Sequence, residues 1–431
     1  MAIQKYQDFF KNLSERTDEV HAALLGQVSS CGFPVYTSMD VRDAGWKLAV
    51  VDVNLFPAGF NNLSPKDRTR GAQKMREFFS AKLLVPSPWK IAVVPEAHTS
   101  NQGYLENLSG ILGLLREAGC EPRLLWPGPA IPKPWVVKTA LGTTLEYLPR
   151  DQALDGAQAL LLNHDLSGGI PDAIKGVTLP TFPSVKLGWY RRRKSTHQEI
   201  VEGLLKVIER KVPWFDPWYL SPKTVTLAGV DFESEAGLGA IADKVAEVMK
   251  TLEQEYIERG IPEKPRVFVK NDAGTYGMGV FSVKDPQEVR EASRKIRQKM
   301  RKGKESVPIS QIIIQEAIPT ALTYVPKDAN SASTLIAGEP VIYMINGVAI
   351  GGFIRLHEQL GPEAQWENLN QPGSKLEPLE CPYNEGHPPR PFAKIRHSHP
   401  CEQLGSTQIY GVISRLHAIA AGLEECPINE L

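Results

Sequence analysis

Between Arg266 and Val283 the sequence alternates apolar and polar residues, breaks into glycines, and alternates again. Arg266-Val267-Phe268-Val269-Lys270 reads as one strand and Gly279-Val280-Phe281-Ser282-Val283 as a second. The connection, Asn271-Asp272-Ala273-Gly274-Thr275-Tyr276-Gly277-Met278, adds two glycines to Gly279. Glycine allows positive φ and close backbone approach, so successive N–H groups can converge on a phosphate while Lys270 supplies a point charge. The pattern points to a flap that cradles an anion, with a purely structural glycine loop as the alternative.

The surrounding segments narrow the fold further. Gln311-Ile312-Ile313-Ile314-Gln315-Glu316-Ala317-Ile318 is a buried-type strand with a polar end, able to present a carboxylate and backbone groups to an adenine and ribose. Glu339 to Ile345 and Val348 to Arg355 flank Asn346-Gly347, a strong hairpin signal. Gly351 and Gly352 within the second strand predict close packing against a ligand or backbone. Earlier, residues 90–125 run strand, loop, helix, strand, and 159–163 form another apolar strand. That cadence predicts a doubly wound parallel sheet. The dinucleotide GxGxxG and Walker A patterns are both absent. A helix is expected over 5–30, a hairpin over 39–54 turning at Asp43-Ala44-Gly45, and long helices near 191–211, 236–259 and 407–424. Arg191-Arg192-Arg193-Lys194 at a helix start opposes the helix dipole, so it reads either as a solvated face or as an anion contact.

Composition excludes several classes. The 431 residues carry 49 basic and 49 acidic side chains, which argues against a nucleic-acid partner. No apolar run reaches membrane-spanning length and the first 30 residues lack a signal-peptide core, so neither a membrane partner nor secretion is expected and the cytoplasm is. Five scattered cysteines without a CxxC pair predict reduced thiols. His397, His399 and Cys401, with Cys381 and His387 upstream, are the densest set of metal-type ligands, but lack the paired cysteine spacing of zinc sites.

A strand ending in lysine, a glycine flap, an apolar strand ending in Glu and a hairpin delivering Arg355 resemble, in that order, the ATP-grasp superfamily. Almost the whole chain resembles the proteobacterial glutamate–cysteine ligase family of the iron-oxidiser type, through VVDVNLFPAGFNNL, FVKNDAGTYGMGV, IIIQEAIPT, EPVIYMINGVAIGGFIR and ENLNQPGS. The resemblance implies ATP-dependent joining of L-glutamate and L-cysteine through a γ-glutamyl phosphate, the first step of glutathione synthesis. It implies an ATP-grasp fold of mixed α/β and α+β class, beside a doubly wound domain. Segment 1–85 would complete the ATP-grasp core with metal-binding strands, 86–212 would form the Rossmann-like domain, and 213–431 the ATP-grasp domain. ATP would contact Lys194, Lys270, Asp272, Gly274, Thr275, Tyr276, Gly277, Met278, Gly279, Val280, Gln315, Glu316, Ala317 and Ile318, with Lys270 and Arg355 catalytic.

ATP-grasp enzymes usually carry their metal ligands after the arginine hairpin, yet here the chain ends soon after its last helix. Asp40 and Asp52-Val53-Asn54, near the front, resemble the missing strand pair, which predicts a circular permutation. Asp40, Asp52 and Asn54 offer hard oxygens suited to Mg²⁺, two ions by the resemblance, with Mn²⁺ of similar preference. Glu367, Asn368 and Asn370 form a competing ligand set. By resemblance, Asn368 and Asn370 go to substrate or phosphate, and Arg42, Asn61 and Asn62 to glutamate. Another amino-acid or peptide ligase, or an ATP-binding protein without turnover, are alternatives that the residues leave open, and self-association is compatible with the sequence.

Overall fold

The computed structural model describes residues 2–28, 32–274, 279–292, 297–298, 300, 309–324, 336–357, 363–371, 373–379 and 406–425. In place of one helix over 5–30 the chain opens with two, α1 (Ala2–Glu15) and α2 (Thr17–Leu24), because Arg16 between them leaves helical geometry at φ −121° and ψ 30°. The expected hairpin follows as β1 (Tyr36–Asp43) and β2 (Leu48–Asn54). Residues 65–82 form a helix not expected from the sequence, α3 (Pro65–Lys82), which buries Met75, Phe78 and Phe79. Ser64 caps it by accepting the Asp67 N–H at 3.2 Å, and proline takes the first helical position, where its missing donor costs nothing.

The βαβ cadence builds a six-stranded sheet from β3 (Trp89–Pro95), β4 (Cys120–Leu125), β5 (Trp135–Lys138), β6 (Thr144–Leu148), β7 (Ala159–Asn163) and β8 (Thr181–Phe182), in the order β5-β6-β4-β3-β7-β8. All its pairs are parallel except β5–β6. Helices α4 (Gln102–Glu117) and α5 (Arg150–Leu154) are its crossovers. Helix α6 (Lys194–Lys211) then leads through β9 (Thr224–Ala228) to α7 (Glu235–Arg259).

A second, antiparallel sheet holds the glycine flap. It runs β11-β10-β12-β9, with β10 (Val267–Asn271), β11 (Val280–Val283) and β12 (Gln311–Glu316), and the short α8 (Gln287–Arg290) lies between β11 and β12. One face packs on α7, where Val267, Val269, Ile312 and Ile314 meet Val245, Val248 and Leu252.

The third sheet joins the two ends of the chain. Strands β13 (Thr323–Tyr324), β14 (Ile336–Ile345), β15 (Val348–Leu356) and β16 (Lys375–Leu379) assemble as β16-β15-β14-β1-β2, with β13 beside β14. β1 pairs antiparallel with β14, Asp40 opposite Val341. The front strands thus complete the sheet carrying the arginine hairpin. Asn346 and Gly347 at its turn have φ of 50° and 71°, the positive pair that a two-residue hairpin requires. Helix α9 (Ser406–Leu423) closes the chain against α1, α2, α6 and one face of this sheet, including Met39, Ile342 and Ile354. The chain ends meet at Asp43, whose carboxylate accepts Tyr6 Oη of α1 at 2.6 Å and Tyr410 Oη of α9 at 3.1 Å.

The glycines in β15 answer to close neighbours, Gly352 to the Val341 carbonyl and Gly351 to a side chain. A Cβ on Gly351 would lie 2.0 Å from Cγ of Asp67 on α3. Gly351→Ala should therefore cost about 1–3 kcal/mol or more in denaturant unfolding, and an unchanged midpoint would remove this explanation. Burial pushes the Asp67 carboxyl up to about 6, against the hydrogen bonds from Ser64. The folded protein then keeps a proton that the unfolded chain releases between these pKa values, so this group's contribution to stability falls as pH rises through about 6. Asp67→Asn should stabilise the protein more at about pH 7.5 than at about pH 4, and equal effects in unfolding titrations would contradict it.

Candidate active site

The antiparallel sheets face each other across a cleft lined from one side by Asp40, Arg42, Val51, Asp52 and Glu339, and from the other by Phe268, Lys270, Gly274, Val280 and Ile318. Lys194, Asn368 and Asn370 complete its wall. Alternation explains the first set. Asp40 is opposite Asp52, and Glu339 opposite Arg355, so charged residues of four adjacent strands share one face.

These charges alternate in sign. Arg355 donates from Nη1 to Asp40 at 2.9 Å and also to Glu339, which accepts in turn from Nε of Arg42. Burial, with Glu339 and Asp52 nearby, raises the Asp40 carboxyl to about 6 despite Arg355. For Asp52, burial acts upward, but Lys194 and Lys270 outweigh it and hold the carboxyl below its ordinary value. Lys194 is ion-paired with Asp52. Burial draws the Lys270 ammonium down to about 8, with Asp52 opposing. Its Nζ donates to Gln315 Oε1 at 2.6 Å and to Val51 O at 3.1 Å, bridging the two sheets.

Two cations of the basic run at the start of α6 find their anions within the protein. Arg192 forks onto Glu424 at 2.8 and 3.1 Å, while Lys194 takes Asp52. Below this pair, His197 Nδ1 lies 2.6 Å from Glu424, and His197 Nε2 is 3.0 Å from His417.

Not every expected residue reaches the cleft. Asp272 accepts Ser195 N at 2.7 Å and Ser195 Oγ at 2.8 Å, so it caps α6, and its backbone carbonyl takes Lys194 N–H. Glu316 is fully buried among Lys47 Nζ at 2.7 Å, Tyr256 Oη and the Lys223 N–H. It sits one residue beyond Gln315, and strand alternation turns it to the opposite face. Both side chains have fixed structural partners. Ala317 packs with Phe268 and Trp366. Arg42 borders the cleft, but its guanidinium is tied to Glu339 and to the carbonyls of Gln365 and Glu367. Gly279 is at φ +65° and accepts the Asn271 N–H, closing the base of the flap. Thr275, Tyr276, Gly277 and Met278 lie outside the described residues, as do Cys381, His387, His397, His399 and Cys401.

Asn54, Asn61, Asn62 and Arg355 line an adjoining cavity of about 760 Å³, and Asn370 borders both spaces. This cavity extends to the carboxyl ends of β3 and β7 through His98, Tyr104 and Asp165. Glu339 and Lys47 were not singled out from the sequence. The signal for Glu339 was available, since it is a lone carboxylate in the otherwise apolar EPVIYMI strand.

A family model described as glutamate-cysteine ligase matches residues 11–425. The chain belongs to the glutamate–cysteine ligase family. A solved structure from Methylobacillus flagellatus, assigned as a γ-glutamylcysteine synthetase, is similar at 33% identity and TM-score 0.78, over 96% of this chain and 95% of that one. Carboxyaminoimidazole ribonucleotide synthase from an Aspergillus (11% identity, TM-score 0.27, 64% and 59% covered) and D-alanyl-alanine synthetase A from Vibrio cholerae (10%, 0.31, 78% and 82%) are too distant to bear on the site. No curated protein matches. Among the described residues, no helix is long and apolar enough to cross a membrane.

Within this family member, Glu339 is the anion that keeps two buried guanidiniums apart. Glu339→Ala would leave Arg42 without a carboxylate and Arg355 with Asp40 alone, and should cost about 3–5 kcal/mol in equilibrium unfolding, whereas a loss below about 1 kcal/mol would show that the pairings are incidental.

Proposed function

We propose that the cleft binds ATP and the adjoining cavity its amino-acid substrates, and that the protein forms γ-glutamylcysteine from L-glutamate, L-cysteine and ATP. The observation that carries this reading is the continuity of the two spaces at Asn370, with Arg355 and the Asp40 strand between them. A carboxylate is a poor electrophile. Transfer of the terminal phosphoryl of ATP to the γ-carboxylate of glutamate yields an acyl phosphate and ADP. The cysteine amine then attacks that carbonyl carbon, loses a proton and expels phosphate.

Lys270, Lys194 and Arg355 would act on the charge that gathers around the transferring group. Their cations are held in place beforehand by Gln315, Asp52 and Asp40, so little reorganisation is needed. Phe268, Val280 and Ile318 supply the apolar wall expected for a purine. Gln315, in place of Glu316, presents its side chain to this side.

The donor set fits a hard divalent cation. Asp40 and Asp52 are cross-strand partners, both border the cleft, and the Asp40 carboxyl is pushed upward partly by the carboxylates beside it. Asn54, two residues after Asp52, shares its strand face. These residues would hold Mg²⁺, as two ions or with Mn²⁺ in its place, and a bound cation would neutralise phosphate charge.

The test is ligation by the purified protein with ATP and Mg²⁺, reading ADP release and product mass across a panel of amino acids. γ-Glutamylcysteine should dominate, and preference for another acceptor would reassign the substrate within the same chemistry. Asp52→Ala should lower turnover roughly 10²-fold or more while the circular dichroism spectrum stays unchanged. Full activity in that variant would remove the metal role of the front strands.

A further inference from the structure

The 760 Å³ cavity has an unusual charge balance: among the described residues lining it, two are formally charged, the cation Arg355 on β15 and the anion Asp165 on the loop after β7. The remaining polar lining is dominated by neutral amides, Asn54, Asn61, Asn62, Asn101 and Asn370. One positive and one negative pole among neutral hydrogen-bonding groups match a small zwitterion. We propose that Asp165, positioned by Glu96, binds the α-ammonium group of an amino-acid substrate. The inference rests on the ligase reading above, and names the residue that recognises the amino-acid class.

Topology explains why Asp165 is there. β3 pairs with β4 on one side and β7 on the other, so the connections leave the carboxyl ends of β3 and β7 in opposite directions and open a crevice between them. Glu96 follows β3, and His164 and Asp165 follow β7. Glu96 Oε1 accepts the Asp165 N–H at 3.0 Å, and Asp165 Oδ1 accepts the Ser167 N–H at 2.9 Å, which fixes the carboxylate in place. His98 and His164 approach Glu96 Oε2 at 3.8 and 3.9 Å.

A metal ion is the competing occupant, because ligand atoms of Glu96, His164 and Asp165 lie within 4.8 Å of one another. His164 weighs against it. Its Nδ1 accepts the Leu166 N–H at 3.0 Å, which places the proton of a neutral ring on Nε2. Metal on Nδ1 would displace that hydrogen bond, and metal on Nε2 would force a proton onto Nδ1 against the Leu166 N–H. An ammonium group requires neither change.

Calorimetric titration of the full-length protein, with ATP analogue and Mg²⁺ present, tests the assignment. The probes are L-glutamate against glutarate, and L-cysteine against 3-mercaptopropanoate, pairs that differ by the α-ammonium group. Wild type should prefer the amine-bearing member of at least one pair by on the order of 10- to 100-fold, and Asp165→Asn, which retains an oxygen for Ser167, should lose most of that preference. Loss in the glutamate pair assigns the donor and loss in the cysteine pair the acceptor. An unchanged preference in the variant overturns the proposal. Should the variant unfold on thermal scanning, wild type decides alone: no preference in either pair overturns the proposal. One equivalent of Zn²⁺ or Mn²⁺ retained through gel filtration by wild type, and lost in both Asp165→Asn and His164→Ala, would also overturn it in favour of a metal site. Preserved discrimination in wild type without any ligation would count against the ligase reading and not against Asp165.

Discussion

The ladder between β1 and β14 is the contact on which the site depends. It joins residues 36–40 to residues 341–345, so it closes a loop of about three hundred residues at an entropic cost that its contacts must offset. The return is geometric. β14 brings Glu339 and its hairpin partner Arg355 beside Asp40, and β1 in turn carries β2 with Asp52. The Arg355–Asp40 and Arg42–Glu339 pairs both cross from β1 to that hairpin and need the ladder to form. Asp43 reinforces the closure, since tyrosines from the first and last helices both donate to it.

Charge order across this face follows one rule: each buried carboxylate touches a cation drawn from a different segment. Asp40 meets Arg355, Glu339 meets Arg42, Asp52 meets Lys194, and Glu424 meets Arg192. Such pairs are weak sources of net stability, because desolvation offsets much of the attraction. They hold positive groups at fixed positions along the cleft, where, on the reading proposed above, a transferring phosphoryl group would gain from them. The histidine pair under Arg192 continues the pattern without joining the cleft. Burial opposes ionisation of Glu424, but Arg192 and His197 outweigh it and hold the carboxyl down to about 2.

The parallel sheet contributes position rather than phosphate chemistry. Asn163, at the end of β7, donates to Pro57 O at 2.8 Å, and Asn107 on α4 accepts the Gly59 and Phe60 N–H groups. These bonds dock the Phe56–Leu63 loop on the crevice between β3 and β7, so Asn61 and Asn62 face the same cavity as Asp165. Two unrelated sheets thereby furnish opposite walls of one substrate space.

Local physics made much of this legible in the sequence. Alternation identified β10, β11 and β15, Asn346-Gly347 announced its turn, and the βαβ cadence announced the parallel sheet, because each depends on residues adjacent in the chain. The carboxylates Asp40 and Asp52 were named through the resemblance of their hairpin to a metal-binding strand pair. Tertiary structure decided what those residues touch. Gly351 accommodates Asp67 instead of a ligand, Asp272 and Glu316 are consumed by a helix cap and a buried lysine, and Lys194 and Arg192 of the basic run are balanced by Asp52 and Glu424. Asp165 gained its place only when two strands far apart in sequence became neighbours. Periodicity is a property of consecutive residues, whereas the partner of a charge is set by which distant segments fold against it, and that information is written in the packing of the whole chain.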